Sequence, residues 1–215
     1  MKKGKLFVIS GPSGVGKGTI CRKILSGAVA CGDGGPLLSV SVTTRRPRPG
    51  EEDGVSYRFV TEQEFRSIIS HGGFLEYAEV FGELYGTPRD AVMETLERGR
   101  DVLLEIDVQG ALQVKSGYPE SILIFILPPS PGEQRRRIEG RGSEDAEQIA
   151  KRVGEAAREI GAIRAYDYAV VNDDVDRAVA ELKEIMSGRR PGLTREDAED
   201  IAARFGETAM DFFRE

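Results

Sequence analysis

The sequence predicts an α/β fold, a parallel sheet with helices on both faces. Apolar, strand-like runs alternate with helix-compatible runs along most of the chain. The run Ile122-Leu123-Ile124-Phe125-Ile126-Leu127, closed by Pro128-Pro129, is continuously apolar, as a strand buried on both faces should be. Residues 37–87 depart from the alternation. They are strand-rich with few helices, which reads as a small inserted subdomain.

The elements follow in order. Residues 5–10 read as a buried strand, followed by a glycine-rich loop and a helix-compatible run at 20–25. Residues 27–36 read as a flexible connection and 37–42 as a second strand. That strand runs into the basic loop Thr43-Thr44-Arg45-Arg46-Pro47-Arg48-Pro49-Gly50. A short strand is expected at 56–60. Thr61 with Glu64 three residues later is a capping box, opening a helix through Ser70. Residues 74–81 and 83–85 form a hairpin with Gly82 at its turn. Pro88 takes a first helical position, and the helix 89–98 stops at Gly99. A strand at 102–107 carries Glu105 and Asp107 at its C-terminal end. After the apolar strand, helices at 133–139 and 144–163 flank the hinge Gly140-Arg141-Gly142. A last strand at 168–172 and a helix at 175–186 complete the domain. Beyond a linker, 194–205 and 207–213 read as short amphipathic helices. Their apolar residues, among them Ile201, Ala202, Phe205, Met210 and Phe213, need a surface: the domain itself or a second copy in a homo-oligomer, with a partner-binding tail as the alternative.

Composition narrows the function. The 215 residues, 40% apolar and 31% charged, suit one α/β domain with inserted pieces and a tail. The 30 basic and 36 acidic residues leave a net charge of −6, which argues against nucleic acid as a partner of the whole surface. Cys21 and Cys31 are the two cysteines and His71 the one histidine, too few for a disulfide framework or a zinc site. Cys21 reads as a small core residue and His71 as a helix C-terminal residue. No run reaches membrane-spanning length, and Met1-Lys2-Lys3-Gly4 leads directly into a strand. A reducing cytoplasm is the expected compartment.

The chemistry begins at Gly11-Pro12-Ser13-Gly14-Val15-Gly16-Lys17-Gly18-Thr19. Between a strand and a helix, this glycine-rich stretch is a phosphate-binding loop. Its glycines let successive N–H groups turn inward onto phosphate oxygens, and the helix N-terminus adds free donors. Lys17 supplies a full charge for the outer phosphates. The expected ligand is a nucleoside triphosphate with Mg²⁺. The common pattern has a hydroxyl residue after the lysine, where this chain has Gly18. Thr19 carries the nearest hydroxyl, so a direct metal ligand is not expected. Thr19 or Asp107 acting through water is the alternative. Further cations lie at Arg45 and Arg48, at Arg135-Arg136-Arg137 with Arg141, and at Arg152. Arginine forks suit a phosphoryl group in transfer, and a solvated helix face is the plain alternative for the first two of the triplet.

Several ordered runs go further. They include Ser39-Val40-Ser41-Val42-Thr43-Thr44-Arg45-Arg46-Pro47-Arg48-Pro49-Gly50-Glu51, Phe74-Leu75-Glu76-Tyr77-Ala78 and Tyr85-Gly86-Thr87-Pro88. Glu105-Ile106-Asp107-Val108-Gln109-Gly110, Glu139-Gly140-Arg141-Gly142 and Val171-Asn172-Asp173-Asp174 complete them. Over residues 4–186 the chain resembles the guanylate kinase family, nucleoside monophosphate kinases that act on GMP. The resemblance implies a P-loop NTPase-type sheet, with core 4–36, 88–131 and 164–186. It implies a GMP-binding subdomain at about 37–87, a helical lid at about 132–163 and a C-terminal extension at 187–215. It places Arg45, Arg48, Tyr57 and Tyr85 on the GMP phosphate, and Ser41, Glu76, Thr87 and Glu105 on guanine. Arg137, Arg141 and Arg152 become the lid and transfer-site arginines, and Asn172 a neighbour of the ATP adenine. Asp107 would orient Mg²⁺ waters or Lys17, or else cap the following helix. Two rivals stay open: a kinase for another phosphate acceptor, and a non-catalytic guanylate-kinase-like interaction module. The intact phosphate loop argues against the second.

Overall fold

The computed structural model describes residues 2–31, 35–80, 82–139, 158–192 and 194–212. Nine strands are found among them: β1 Leu6–Ser10, β2 Leu37–Leu38, β3 Val42–Thr43, β4 Arg58–Phe59, β5 Phe74–Val80, β6 Glu83–Pro88, β7 Val102–Glu105, β8 Ile122–Leu127 and β9 Tyr168–Val171. The described helices are α1 Lys17–Cys31, α2 Glu62–Ser70, α3 Arg89–Glu97, α4 Val108–Gly117, α5 Pro131–Glu139, α6 Val175–Met186 and α7 Arg195–Phe212. A 3-10 turn spans Gly161–Ala165.

Five strands pair in parallel in the order β2-β7-β1-β8-β9. Alternate residues of each central strand serve opposite faces. Leu6, Val8, Leu104, Leu123 and Phe125 pack with Val92 and Leu96 of α3 and Val114 of α4. Phe7, Ile9, Leu103, Ile124 and Ile126 pack with Ile20 and Ile24 of α1 and Leu182 and Ile185 of α6. A sheet buried on both faces explains why its strands read as apolar runs.

A second sheet, in the order β4-β3-β6-β5, forms the insertion. Its core is small: Val42, Phe65 and Phe74, with Val60, Ile68, Ile69 and Leu84 at its edge. Phe65 of α2 meets Phe74 of β5 with ring centroids 4.6 Å apart. The capping box of α2 forms as expected, with Glu64 N–H on Thr61 Oγ1 and Thr61 N–H on Glu64. His71 caps the other end of α2 and is exposed, and Cys21 is buried in the core.

The structure corrects several boundaries. The expected strand at 37–42 is two strands in two sheets: Ser39 N–H still bonds Leu103 O at 3.0 Å, then Val42 pairs with Gly86. Helix α1 continues to Cys31 where a flexible connection was expected. The single Gly27 costs only about 1 kcal/mol in a helix, which flanking alanines offset. Strand β7 stops at Glu105, because Asp107 turns to cap α4. Pro88 is the N-cap of α3 rather than its first residue. The expected helix at 144–163 lies mostly outside the described residues, and its end tightens into the 3-10 turn. The tail is one helix, α7, running through Gly206. Its Ala198 is buried, and Ile201, Ala202 and Phe205 pack on the same face of the core as Leu6 and Val8. No helix among the described residues is long and apolar enough to cross a membrane.

The two cores differ in depth, and their stabilities should differ too. Phe65→Ala removes a ring from a core of three buried residues, a loss of about 3–5 kcal/mol. Amide exchange should accelerate across β5 and β6 while β1 and β8 keep their protection. Uniform loss of protection in both sheets would show that the insertion has no separate core.

Candidate active site

The site gathers at the carboxyl ends of the parallel strands, where ligands of open α/β sheets bind. Strand β1 ends at Ser10, and residues 11–16 curl into α1. Gly11 and Gly16 have φ of 143° and 88°. A side chain at Gly11 would strike Ile126 O, 2.4 Å from its Cβ, and one at Gly16 would reach Asn172 Nδ2 at 2.7 Å. Lys17 Nζ donates to Gly11 O at 2.5 Å and Pro12 O at 3.2 Å. Burial lowers its pKa, opposed by the charges of Glu159, Glu105 and Asp107.

The loop is braced from outside. Asn172, at the end of β9, is 2% exposed and donates its amide to Val15 O at 2.6 Å. Gln134 of α5, 5% exposed, donates to Ser13 O at 3.1 Å. Arg137 donates to Asn172 O at 3.1 Å and to Glu133 at 2.9 Å. The structure thus seats Asn172 as a strut beneath the loop, and it does not line the cleft.

In front of the loop lies a cleft of about 650 Å³. Gly11, Ser13, Lys17, Ser41, Arg48, Tyr57, Glu76, Tyr85, Glu105 and Asp107 all border it. Residues expected to act together from six separate stretches of sequence therefore meet. Arg45 stands behind the wall, its guanidinium 5.4 Å from the Tyr57 ring centre. Glu51 holds Arg45 NH2 at 2.9 and 3.0 Å and accepts Arg48 N–H at 2.8 Å. Arg45 Nε is buried with no hydrogen-bond partner among the described residues. Tyr57 and Tyr85 meet edge to face with centroids 6.0 Å apart.

Five acidic residues border the cleft, Glu76, Glu79, Glu105, Asp107 and Glu159, and three of them carry the site's polar geometry. Glu76 is 5% exposed and accepts from Thr87 Oγ1 at 2.6 Å. Burial first, and the charge of Asp107 further, push its pKa up to about 7. Asp107 accepts Gly110 N–H at 2.7 Å as the cap of α4. Glu105 lies beside α1: a Cβ on Gly18 would be 3.2 Å from its Oε1, and the Cys21 thiol bonds to it. Burial raises the Glu105 pKa, opposed mainly by Lys17. The expectation grouped Glu105 with Glu76 and Asp107 with Lys17 and the metal. The structure seats Asp107 beside Glu76 and Glu105 beside the loop, with the charges of both acting on Lys17. Successive strand positions alternate in direction, but the chain leaves β7 at Glu105, so spacing did not carry over to Asp107.

Thr19 is exposed, accepts from Arg22 at 3.4 Å and does not border the cleft. Pro12, Gly14 and Val15 complete the loop, Val15 buried in the core below it. Arg141 and Arg152 lie outside the described residues. Sequence reasoning missed Glu51, Gln134 and Glu159, which borders the cleft. Glu51 carried a signal, an acid closing a turn just after two arginines. Gln134 and Glu159 carried none beyond their helices.

Comparison with known proteins agrees with this geometry. The guanylate kinase family model matches residues 3–189. A guanylate kinase of Clostridium acetobutylicum is 47% identical over 212 residues, covering 99% of each chain. One from Caldanaerobacter subterraneus is 50% identical over 194 residues, covering 90% of this chain and 92% of its own. The crystal structure of guanylate kinase from Anaplasma phagocytophilum superposes with a TM-score of 0.70 at 36% identity, over 87% of this chain and 86% of that one. With its phosphate loop, paired sheets and acid-lined cleft, the chain belongs to the guanylate kinase family, the ATP:GMP phosphotransferases.

Proposed function

We propose that the cleft carries out ATP + GMP ⇌ ADP + GDP with the following division of labour. The observation that carries the reading is that the lysine-bearing loop and Glu76, held from behind by Thr87, border one cleft. ATP lies on the loop, residues 11–19, with its β- and γ-phosphates on the N–H groups of the loop and on Lys17. Lys17 exchanges its two carbonyl acceptors for phosphate oxygens.

GMP lies against the inserted sheet. Its phosphate takes Arg45, Arg48, Tyr57 and Tyr85, with Glu51 holding both arginine segments in place. The unpartnered Arg45 Nε is a donor awaiting such an anion. Guanine offers N1–H and a 2-amino group as donors, which Glu76 and Asp107 accept while Ser41 adds a hydroxyl at the cleft and Thr87, buried behind Glu76, fixes its carboxylate. Adenine has a lone pair at N1 and would leave a buried carboxylate facing it, a mismatch that can discriminate by about 10⁴. The cleft reads base and phosphate, so dGMP is taken as a substrate as well.

Mg²⁺ arrives with ATP. Mg²⁺ is held by few protein groups, usually a carboxylate or two with waters and substrate phosphates. No group of three acidic, histidine or cysteine side chains that could cage a metal occurs among the described residues. Glu105, beside Gly18 and in the field of Lys17, fits the role of orienting the ion's water. When bound, the ion neutralises phosphate charge. The GMP phosphate oxygen is the nucleophile: its bond to the γ-phosphorus forms as the bond to the ADP oxygen breaks. No covalent enzyme intermediate is needed. Arg137, with Arg141 and Arg152 from the lid at about 132–163, offsets charge on the moving group, and lid closure excludes water. The domain division at 37–87 and 187–215 and a cytoplasmic setting, where nucleotides are pooled, belong to the same reading.

Steady-state assays test it. Lys17→Ala should lower kcat about a hundredfold or more, and near-parental turnover would remove Lys17 from the chemistry. Glu76→Gln should raise the GMP KM and narrow the preference over AMP. Unchanged preference would place base reading elsewhere.

Glu76 also makes two pH predictions. GMP binding requires its ionised form, so the GMP KM should fall as pH rises through about 7. In Glu76→Gln that component should vanish. The folded state holds a proton on Glu76 that the unfolded chain has released between about pH 4.5 and 7, so folding stability falls across that window. Glu76→Gln should therefore be more stable than the parent at pH 8 by about 2–3 kcal/mol. Urea melts at pH 8 and at pH 4 should show the gap and its closure.

A further inference from the structure

Helix α4 carries a glycine where alanine would suit the helix better. Gly110 lies in the first turn of α4, with helical geometry and its N–H on Asp107 at 2.7 Å. Nothing in its backbone calls for glycine, and alanine is the stronger helix former. The reason lies across the gap to β5. A Cβ at this position would be 2.7 Å from Glu76 Oε2, 3.1 Å from its Cδ and 3.2 Å from Asp107 Oδ1.

Neither side can give way freely. Glu76 is tied through Oε1 to Thr87 at 2.6 Å and is 5% exposed. Strand β5 is pinned as well. Gln113, one turn further along α4, accepts Tyr77 N–H at 3.3 Å and donates to Tyr77 O at 3.0 Å. Tyr77 is the residue after Glu76, so the clamp acts next to the carboxylate. A methyl at 110 must therefore turn the carboxylate out of place or break its bond to Thr87.

We propose that Gly110 is a positioning residue for guanine recognition. Its missing side chain lets the Glu76 carboxylate lie against the first turn of α4 beside Asp107, while Gln113 holds β5 at that separation. The role rests on the reading of Glu76 as the guanine acceptor. Lys17 and the arginine pocket lie on other elements, so the effect should be confined to the base.

The test compares Gly110→Ala, Glu76→Gln, Glu76→Asp and the double variant Gly110→Ala/Glu76→Asp, assayed with Mg-ATP and with GMP or AMP as acceptor. Gly110→Ala should raise the GMP KM about ten- to a hundredfold, the loss of one charge-assisted hydrogen bond. The ATP KM should stay unchanged and the preference for GMP over AMP should fall. Glu76→Asp withdraws the carboxylate by one methylene and clears the methyl. The double variant should then bind GMP better than the product of the two single effects allows. Unchanged GMP KM in Gly110→Ala, or strictly multiplicative effects, would overturn the role. If Glu76→Gln leaves base preference intact, the reading of Glu76 itself fails. If Glu76→Gln loses preference and Gly110→Ala does not, only the role of Gly110 fails. Should Gly110→Ala melt below the assay temperature, the melting midpoint carries the test: Glu76→Asp must raise it in that background and not in the parent.

Discussion

The parallel register of β1 against β7 is the constraint on which the site depends. Ile9 pairs with Glu105, and Ile106 N–H bonds Ile9 O at 3.3 Å just beyond. The two strands therefore end level. One continues into the phosphate loop and the other into the acidic turn that caps α4. A slip of one residue would exchange the buried faces of a strand that packs on both sides, so the cores on either side of the sheet fix this register. The placement of Glu105 beside Lys17 is thus a consequence of apolar packing several residues away. The third strand end works the same way: Asn172 N–H bonds Leu127 O at 2.8 Å, and from there its amide reaches Val15.

Around this frame the protein keeps groups that burial disfavours. Lys17 is pushed down, and Glu76 and Glu105 are pushed up, each chiefly by desolvation. Such groups weaken a fold unless a ligand or a partner completes them. In the function proposed above, the completing groups are nucleotide atoms of opposite character: phosphate for the cations, base N–H for the carboxylates. Stability given up at the cleft is a property of sites built to bind charge. The deep two-faced core carries that cost. The insertion, with three buried residues at its centre, is the weaker partner.

Much of this was legible in the sequence. The loop at 11–19 was legible because glycine, lysine and flanking elements each have a separate physical reason to be there. The buried strand at 122–127 and the capping box of Thr61 and Glu64 were legible for the same reason. The split at 37–42 was not, because both halves are extended and only tertiary pairing decides which sheet each joins. The continuous α7 was hidden by Gly206, a residue that lowers helix propensity without forbidding a helix. The separate places of Glu105 and Asp107 show the limit most sharply. Two acids two residues apart look equivalent in sequence, but one ends a strand and the other begins a helix.

That difference shapes the chemistry. Asp107 has one oxygen committed to Gly110 N–H, so the orientation of its carboxylate is set by the helix and not by a ligand. Glu76 faces it with one oxygen committed to Thr87. Each carboxylate is thus tied to a different element, α4 for one and β6 for the other, and each keeps acceptor capacity toward the cleft. Guanine, with donors on adjacent ring positions, can bridge two acceptors held this way and offset the repulsion between them. Adenine turned the same way has a lone pair at N1 and no amino group at C2, so it offsets neither charge. In the proposed reading, specificity comes from an unfavourable pairing that only one base relieves, so it requires the two elements to be held close before any substrate arrives.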